Sequence, residues 1–393
     1  MAASAAEQAP GAPGSIQPAD KDGGSGQAQL RFLRPKNYTL PQECIQHELL
    51  YPPIFDLLRP YFVRGIRRED FDACVPAAPK DFNIDQGTPG QSKFRMLLWD
   101  NEVWVISGGL RRQMFQMLDY GQVMQIQAVA KRWGLPNMEF VVGWGDIFGV
   151  KDDGDRRCPL FTYCRSPESY DILIPDGHFL QFKYDEWVEK MKGGGDVPWE
   201  QKEERAVGYW HGYCAYLPQA DRFGRSEKCI RAAYVNQSAL GTNLTAFSTG
   251  EREALSLQAR FKYTLSTDGL GCSGRFQKLL ATGQVEFFYP ALRPWVHYVP
   301  SGYNGIEEIE RIVQFLRAND DMAKAIGQNS QRFAREHLNE EARHCYLKVL
   351  MEEMHKLITY SPKLEDFPTR ITFDEDMKKY AKEELQRPSV EAR

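Results

Sequence analysis

Residues 261–300 read FKYTLSTDGLGCSGRFQKLLATGQVEFFYPALRPWVHYVP, and this stretch decides the predicted fold. It opens with an apolar run at Phe261, Tyr263 and Leu265, which predicts a β-strand. A loop with glycines follows, and residues 276–280 then look like the start of a helix. A strand that passes through a glycine loop into a helix is typical of α/β proteins, so the sequence predicts an α/β fold.

The glycine loop also has the features of a phosphate site. Backbone N–H groups of such a loop and the positive end of the following helix suit an anion. Arg275 adds a planar fork of donors that can hold a diphosphate through two hydrogen bonds. The loop matches neither the P-loop nor the Gly-x-Gly-x-x-Gly fingerprint. Spacing alone therefore favours the alternative of an ordinary glycine turn between strand and helix.

Two segments of this stretch, 262–275 (KYTLSTDGLGCSGR) and 286–300 (EFFYPALRPWVHYVP), closely resemble glycosyltransferase family 90. This family contains the capsule-associated and Rumi-like enzymes, and its animal members are protein O-glucosyltransferases. The resemblance continues downstream to Tyr346 and, more weakly, upstream to about Leu97. It implies a GT-B-like architecture, in which two Rossmann-like lobes have a cleft between them and a C-terminal helix crosses back.

Length and composition are those of a globular protein with two domains. The chain has 393 residues, of which 42% are hydrophobic and 26% are charged. A length prior of about 150 residues per domain then gives two domains. A net charge of −4 argues against nucleic acid as a partner, because phosphate backbones are bound by a basic excess.

The sequence predicts neither a membrane span nor a secretion signal. Residues 1–28 are rich in Ala, Gly, Pro, Gln and Ser, which predicts a disordered tail without the apolar core of a signal peptide. No stretch reaches the roughly 18 apolar residues of a membrane-spanning helix. The family, by contrast, implies an enzyme of the ER or Golgi lumen. We expect a monomer.

We divide the chain into four parts: a tail (1–28), an N-terminal acceptor-side α/β lobe (29–195), a C-terminal nucleotide-sugar-binding α/β lobe (196–345) and C-terminal helices (346–393). A glycine-rich linker at 192–198 separates the lobes. The expected elements are a hairpin with strands at 94–99 and 102–106 joined by Asp100-Asn101, a helix at 111–133 stopped by Gly134, strands at 138–144, 206–210, 261–266 and 296–299, and helices at 306–316, 322–337 and 340–360.

The eight cysteines contain no Cys-x-x-Cys pair, so a zinc knuckle is not expected. Relatives in the family hold several disulfides. The resemblance implies that Cys44, Cys74, Cys158 and Cys345 take part in such bonds. The sequence leaves their pairing open.

Sugar transfer from a nucleotide to a hydroxyl requires a base for the acceptor's proton and groups that stabilise the leaving diphosphate. Asp146 follows the predicted strand at 138–144, and parallel sheets bind ligands at the carboxyl ends of their strands. The family places its catalytic aspartate at the end of the matching strand, so the resemblance makes Asp146 the expected base. Without the resemblance, an aspartate after a glycine is usually a turn residue.

The predicted donor contacts lie in the second lobe. Relatives hold the nucleotide sugar with the glycine loop, which here supplies Leu270, Gly271, Cys272, Ser273, Gly274 and Arg275. The resemblance implies further contacts at the strand end 210–213, where His211 replaces the usual arginine and Tyr213 binds substrate. The next arginine of the family best matches Arg225. Arg222 competes with it, and a solvated surface arginine is the alternative for both.

One departure from the family pattern concerns activity. After Gly283 the chain passes directly to the Glu-Phe-Phe motif, so a strand and a loop of the relatives are missing here. We expect no metal and no cofactor other than the UDP-sugar substrate, because the Asp-x-Asp patterns at 153–155 and 374–376 lie in charged loops. His297 fits either a nucleotide contact or a buried structural histidine.

We therefore predict an inverting, metal-independent glycosyltransferase that moves a hexose or pentose from a UDP-sugar to a hydroxyl of a protein serine or a glycan. The better-known relatives imply UDP-glucose or UDP-xylose. The alternative is a catalytically impaired family member that binds a protein or glycan, which His211, the missing segment and the absent targeting signal favour. A lectin-like scaffold that binds glycans but no nucleotide is the third alternative.

Overall fold

The part of the chain that the structure describes contains two separate β-sheets, one of six strands and one of three. The computed structural model describes residues 40–76, 93–108, 116–143, 158–163, 165, 170–181, 183–190, 197–209, 244–247, 258–266, 280, 291–300 and 307–375. The chain divides into a first unit, Met1–Leu40, and a second unit, Pro41–Arg393, which contains both sheets. Strands and helices of this second unit confirm the predicted α/β class.

The strands are β1 (Lys93–Trp99), β2 (Glu102–Gly108), β3 (Met138–Gly143), β4 (Leu160–Thr162), β5 (Ile172–Leu173), β6 (Glu203–Tyr209), β7 (Leu244–Phe247), β8 (Phe261–Leu265) and β9 (Ile371–Thr372). The α-helices are α1 (Pro52–Leu58), α2 (Arg68–Cys74), α3 (Gln116–Trp133), α4 (His178–Gln181), α5 (Tyr184–Lys190), α6 (Glu307–Ala318), α7 (Asp320–His337) and α8 (Glu340–His355). Short 3₁₀ helices span Gln42–Leu50, Arg59–Tyr61, Trp199–Gln201 and Leu364–Asp366.

The predicted hairpin lies at the centre of the larger sheet. β1 and β2 pair antiparallel, and the turn residues Asp100 and Asn101 have φ angles of 49° and 60°. Aspartate and asparagine tolerate this left-handed conformation, which a two-residue turn requires to match the twist of its strands. The hairpin prediction is therefore confirmed.

The other strands extend this sheet on both sides, in the order β5-β4-β3-β1-β2-β9. β3 is antiparallel to β1 but parallel to β4, and β4 is parallel to β5. All six residues of β3 are buried, as expected for its continuous apolar run. At the opposite margin, Ile371 and Thr372 of β9 pair with Val105 and Trp104 of β2.

Helix α3 ends where the sequence predicts. Gly134 follows its last residue with a φ angle of 71°, and the Gly134 N–H donates to the carbonyl of Ala130 over 3.0 Å. A glycine in the left-handed region after the last turn is a common helix stop. The stop leads the chain directly into β3.

The smaller sheet is entirely parallel, in the order β7-β6-β8, and β6 and β8 lie where strands were predicted. A hydrophobic cluster joins this sheet to α6 and α7. Its buried members are Ala206, Tyr263, Val299, Ile309, Val313, Leu316, Ala323 and Ile326. The apolar spacing that predicted α6 therefore corresponds to the helix face that packs on the sheet.

The C-terminal helix α8 packs against α3 and the 3₁₀ helix Gln42–Leu50. Arg343 of α8 is 2% exposed. Its guanidinium donates to Gln125 of α3 and to Asp185 of α5, over 3.0 Å in each case. The helix α8 thus packs against the N-terminal part of the chain.

Two disulfides join distant parts of the chain. Cys44 and Cys345 are 301 positions apart in sequence with a Cα–Cα distance of 5.3 Å. Cys74 and Cys158 are 84 positions apart with a Cα–Cα distance of 5.2 Å. All four cysteines that the resemblance selected are therefore paired. The remaining cysteines, Cys164, Cys214, Cys229 and Cys272, lie outside the described residues.

The prediction of a strand at 296–299 is wrong. Residues 293–298 form a tight turn, in which the Trp295 N–H donates to the carbonyl of Tyr298 over 2.6 Å. Pro294 offers no N–H to a strand ladder, and Trp295 has a φ angle of 61°. The chain therefore reverses here, although its apolar residues have the spacing of a strand.

The predicted helix at 340–360 ends earlier, at His355. The domain boundaries predicted after residues 28, 195 and 345 stay predictions. The tail and most of the linker lie outside the described residues. Among the helices that are described, none combines the length and apolar character needed to cross a membrane.

Candidate functional site

The residues predicted to act on substrate lie outside the described ranges. They are Asp146, Tyr213, Arg225, Leu270, Gly271, Cys272, Ser273, Gly274 and Arg275. Their roles therefore stay predictions. The strands that lead to most of their loops are described, and these strands determine where the loops leave the sheets.

The segment that contains Asp146 follows β3, and the carboxyl end of β3 lies beside two other strand ends. β3 ends at Gly143, three residues before Asp146. β4 and β5 run parallel to β3, so the carboxyl ends of all three strands lie at one margin, which we call the β3–β5 edge. Ligands of parallel sheets bind outside such carboxyl ends, so this margin suits a substrate.

The smaller sheet has a corresponding margin, the β6–β8 edge, formed by the carboxyl ends of β6, β7 and β8. The segment 210–213 follows β6, and the glycine loop follows β8. β6 and β8 are neighbours in the sheet, and neighbouring strands lie about 4.8 Å apart. The two segments predicted to bind the donor therefore start side by side.

An aspartate and a histidine that the sequence did not single out follow β5 at the β3–β5 edge. The backbone N–H of His178 donates to Oδ1 of Asp176 over 3.0 Å, and the ring Nδ1–H donates to Oδ2 over 2.6 Å. The side chains of Asp176 and His178 are 7% and 15% exposed. The ring of Tyr163, which follows β4, lies perpendicular to the imidazole at a centroid distance of 6.3 Å. The carboxylate therefore holds both the backbone and the ring of His178.

A close contact between two glycines holds this segment against α3. A Cβ atom on Gly121 would lie 2.8 Å from the Cα of Gly177, a distance that real Cβ atoms do not reach. One turn further along α3, the side-chain amide of Gln125 donates to the carbonyl of Asp176 over 3.4 Å. These two contacts with α3 therefore hold the backbone between Asp176 and His178 in place.

Lys93 lies at the same edge. β1 begins there antiparallel to β3, and Lys93 pairs with Gly143. Burial lowers the pKa of the Lys93 ammonium, and the carboxylate of Asp171 opposes this shift. A partly buried cation thus lies beside the strand end that leads to Asp146.

A buried charge cluster joins β1 to β3. Arg95 donates through Nε to Glu139 over 2.6 Å and through Nη1 to Asp72 over 2.5 Å. The Tyr360 hydroxyl donates to the second oxygen of Glu139 over 2.8 Å, and burial together with this carboxylate raises the pKa of Tyr360. The side chains of Arg95 and Glu139 are 1% and 0% exposed, so each charge depends on the other. The cluster therefore connects β1 to β3 through buried charges.

The described contacts favour a structural role for His297. Its Nδ1 accepts a hydrogen bond from the Arg293 N–H over 3.0 Å. Its ring lies against Phe333 of α7 at a centroid distance of 5.0 Å. Burial lowers the pKa of His297 to about 4, so the ring is neutral at physiological pH. Of the two alternatives, a buried structural histidine fits these contacts.

The described ranges contain no group of three or more His, Cys, Asp or Glu side chains arranged to hold a metal ion. Of the two Asp-x-Asp patterns, the one at 153–155 lies outside those ranges. In the other, Asp374 accepts a hydrogen bond from Lys131 over 2.7 Å. This aspartate serves to join β9 to α3.

Sequence reasoning missed Asp176 and His178 for an identifiable reason, and it also missed Lys93 at the start of β1. β5 has only two residues, which is too short to show a period, so no strand was predicted before Asp176. An Asp-Gly-His sequence then looks like an ordinary turn. The short apolar run at 172–174, just before this Asp-Gly-His sequence, is the signal that could have indicated a strand.

Comparison with protein families gives a match over most of the chain. The model of Glycosyl transferase family 90 matches residues 70–392, which include every residue predicted to contact substrate. The chain belongs to this family. The family prediction drawn from residues 262–275 and 286–300 is therefore confirmed.

Several curated proteins are similar to the chain. Protein O-glucosyltransferase 1 of Rattus norvegicus is 26% identical over 256 residues, which cover 58% of this chain and 64% of the relative. O-glucosyltransferase rumi of Drosophila melanogaster is 26% identical over 271 residues, or 59% of this chain and 63% of the relative. Protein O-glucosyltransferase 2 of Danio rerio is 27% identical over 269 residues, or 61% and 51%. The chain thus spans less than two thirds of the length of these relatives.

Proposed function

We propose that this family 90 protein transfers a hexose or pentose from a UDP-sugar to a hydroxyl of a protein serine or a glycan, with inversion and without a metal. The observation that supports this most is the pair of parallel-strand edges. Each edge leads into a loop with the residue types that one half of the reaction needs. We further propose a GT-B arrangement, in which each sheet is the core of one lobe.

On the donor side, the glycine loop, Ser273, Arg225 and Arg275 stabilise the leaving UDP. Backbone N–H groups and guanidinium groups compensate the charge that develops on the diphosphate, which is the work a metal does in other enzymes. Tyr213 completes the site. The common starting edge of the loops after β6 and β8 supports this grouping.

On the acceptor side, Asp146 takes the proton from the acceptor hydroxyl. The oxygen attacks the anomeric carbon from the face opposite the diphosphate, and the bond from that carbon to the diphosphate oxygen breaks. Base and leaving group act on opposite faces of the sugar, so the anomeric configuration inverts. The position of Asp146 just beyond a buried strand with parallel neighbours supports this role.

The names of the relatives support a protein hydroxyl as the acceptor, with glucose as the sugar. The two disulfides support a protein that works in an oxidising compartment, because cytosolic proteins rarely keep such bonds. We therefore propose a lumenal enzyme of the secretory pathway. We further propose that it acts as a monomer.

The donor half is tested by the melting temperature of the protein with and without UDP. A ligand that binds only the folded state at 100 times its Kd adds about 2.7 kcal/mol, which raises the melting temperature by several degrees. Arg275→Ala should abolish this rise. The control Arg59→Ala removes a guanidinium that is 73% exposed and should leave the rise intact. An unchanged rise in Arg275→Ala would contradict the donor site.

A further inference from the structure

The first 3₁₀ helix, Gln42–Leu50, presents a buried histidine to a later helix. The His47 side chain is 4% exposed, and within the part of the chain that the structure describes neither of its ring nitrogens has a hydrogen-bond partner. The His337 ring, in the last turn of α7, lies perpendicular to it at a centroid distance of 6.0 Å. Nδ1 of His337 is likewise buried without a hydrogen-bond partner among the described residues. The two imidazoles therefore meet through ring packing.

This histidine pair lies at the joint between α7 and α8, residues 338–339. α7 packs on the smaller sheet through the hydrophobic cluster described above. α8 is attached to the larger sheet, because the Tyr346 hydroxyl donates to the carbonyl of Leu173 in β5 over 2.8 Å. The 3₁₀ helix contacts both α7 and α8. It therefore holds together two helices that belong to different sheets.

A carboxylate from each of the two helices lies near this pair. Oε1 of Glu341, in α8, is 4.0 Å from Nε2 of His47 and accepts a hydrogen bond from the Gln46 side chain over 3.1 Å. Oε2 of Glu336, in α7, is 4.0 Å from Nε2 of His337. Further charged groups on the adjoining elements pair with carboxylates, and they are Arg132 of α3, with Glu43 and Glu341, and Arg59, which follows α1, with Asp56.

The surroundings of both rings favour the neutral imidazole. Burial lowers the pKa of His47, the charge of a protonated His337 lowers it further, and the Glu341 carboxylate opposes these effects. Burial also lowers the pKa of His337, against the opposing charge of Glu336. A solvated histidine binds a proton near pH 6.5. The packed contact is therefore complete above that pH, and is lost as the pH falls, because protons then favour the state in which the rings reach water.

We propose that His47 and His337 form an acid-sensitive switch at the joint between α7 and α8. In the neutral form the two rings pack, and the 3₁₀ helix holds the joint closed. Protonation of both rings places two like charges in a buried contact, so the 3₁₀ helix separates from the joint. The disulfide between Cys44 and Cys345 keeps this helix attached, so the contact forms again when the protons leave. This inference does not depend on the proposed transferase function.

The test is hydrogen exchange of the full chain under non-reducing conditions at pH 7 and pH 5, with rates corrected for the intrinsic effect of pH. Protection of the amides in 42–50 should fall at least about 10-fold at pH 5, because two rings that titrate near pH 6.5 in water gain protons on opening. His47→Phe/His337→Phe keeps two packed rings that cannot be protonated, so this fall should disappear. The control His355→Phe removes another histidine whose pKa burial lowers, at the end of α8, and should keep the fall.

A second variant keeps the proposal testable if the double phenylalanine variant does not fold. Glu341→Gln retains an acceptor for Gln46 but removes the charge that stabilises a protonated His47 in the closed contact. Its loss of protection at pH 5 should therefore exceed that of wild type. Protection of 42–50 that is equal at both pH values in wild type would overturn the proposal. An equal fall in wild type and the double variant, or a smaller fall in Glu341→Gln, would overturn it as well.

Discussion

Arg95 and Glu139 show how much a single pair of residues contributes to the larger sheet. Both side chains are almost completely buried, and their contact joins β1 to β3. Arg95→Met should cost about 3–5 kcal/mol of folding free energy, because it leaves a carboxylate buried without its cation. Urea unfolding of the two proteins measures this difference.

The matched control for this prediction is Lys131→Met. Lys131 also pairs with a carboxylate, that of Asp374, but its side chain is 48% exposed. Exposed pairs contribute about 0–1 kcal/mol, so this variant should unfold close to the wild-type midpoint. Equal losses in both variants would show that burial of the Arg95 pair does not determine its contribution.

Residue-level signals explain which local predictions were right. Asp100, Asn101 and Gly134 act through their own backbone conformations, which sequence reasoning can recognise. The left-handed conformation of Trp295 has no such signal, because a bulky residue rarely adopts it, and the strand predicted there was wrong. The contact of Asp176 with His178 could not be predicted either, because both residues follow β5, which is too short to be recognised in the sequence.

At the scale of elements, a disulfide and packing against α3 attach α8 to the N-terminal part of the chain. Cys345 bonds this helix to the first 3₁₀ helix. Replacing both Cys44 and Cys345 by alanine should cost about 2–5 kcal/mol, because the unfolded chain then regains the freedom of a long loop. Urea unfolding under non-reducing conditions measures the loss.

The second disulfide provides the comparison. The same change at Cys74 and Cys158 opens a loop of 84 rather than 301 positions. The loop-entropy term then predicts a loss smaller by about 1 kcal/mol. A larger loss for the shorter loop would mean that local packing, rather than chain entropy, sets the contribution of these bonds.

The sequence could predict single helices and strands, but not how elements far apart in the chain pair. Apolar periodicity located β6, β8 and the three long C-terminal helices, because each pattern is contained within its own element. The pairing of β9 with β2 joins residues far apart in the chain, and two residues carry no period. The disulfide partners were open for the same reason. The predicted site residues remain predictions, although the strands before their loops are in place.

At the scale of the whole molecule, buried histidines make stability depend on pH. Burial lowers the pKa of five of them, which are His47, His297, His337, His344 and His355. For His297 and His344 the pKa falls to about 4. The unfolded chain binds protons near pH 6.5 and the folded chain does not, so stability is complete above that pH and is lost as the pH falls towards 4.

The expected size of this effect follows from the two largest shifts. Between pH 7 and pH 5, His297 and His344 should each cost about 2 kcal/mol of folding free energy. Urea unfolding at both pH values measures the total. His344→Gln should lose less stability over this interval than wild type. A free energy of unfolding that is the same at pH 5 and pH 7 would contradict the assignment of these histidines as buried and neutral.

Two sets of parallel strand ends belong to one family 90 chain, and we propose that the segments following them cleave a UDP-sugar. The most direct measurement is UDP release from UDP-glucose or UDP-xylose by wild type, Asp146→Asn and Arg275→Ala. We expect steady release by wild type and a loss of at least about 100-fold in each variant, with folding unchanged. Release that continues at the wild-type rate in both variants would contradict the claim.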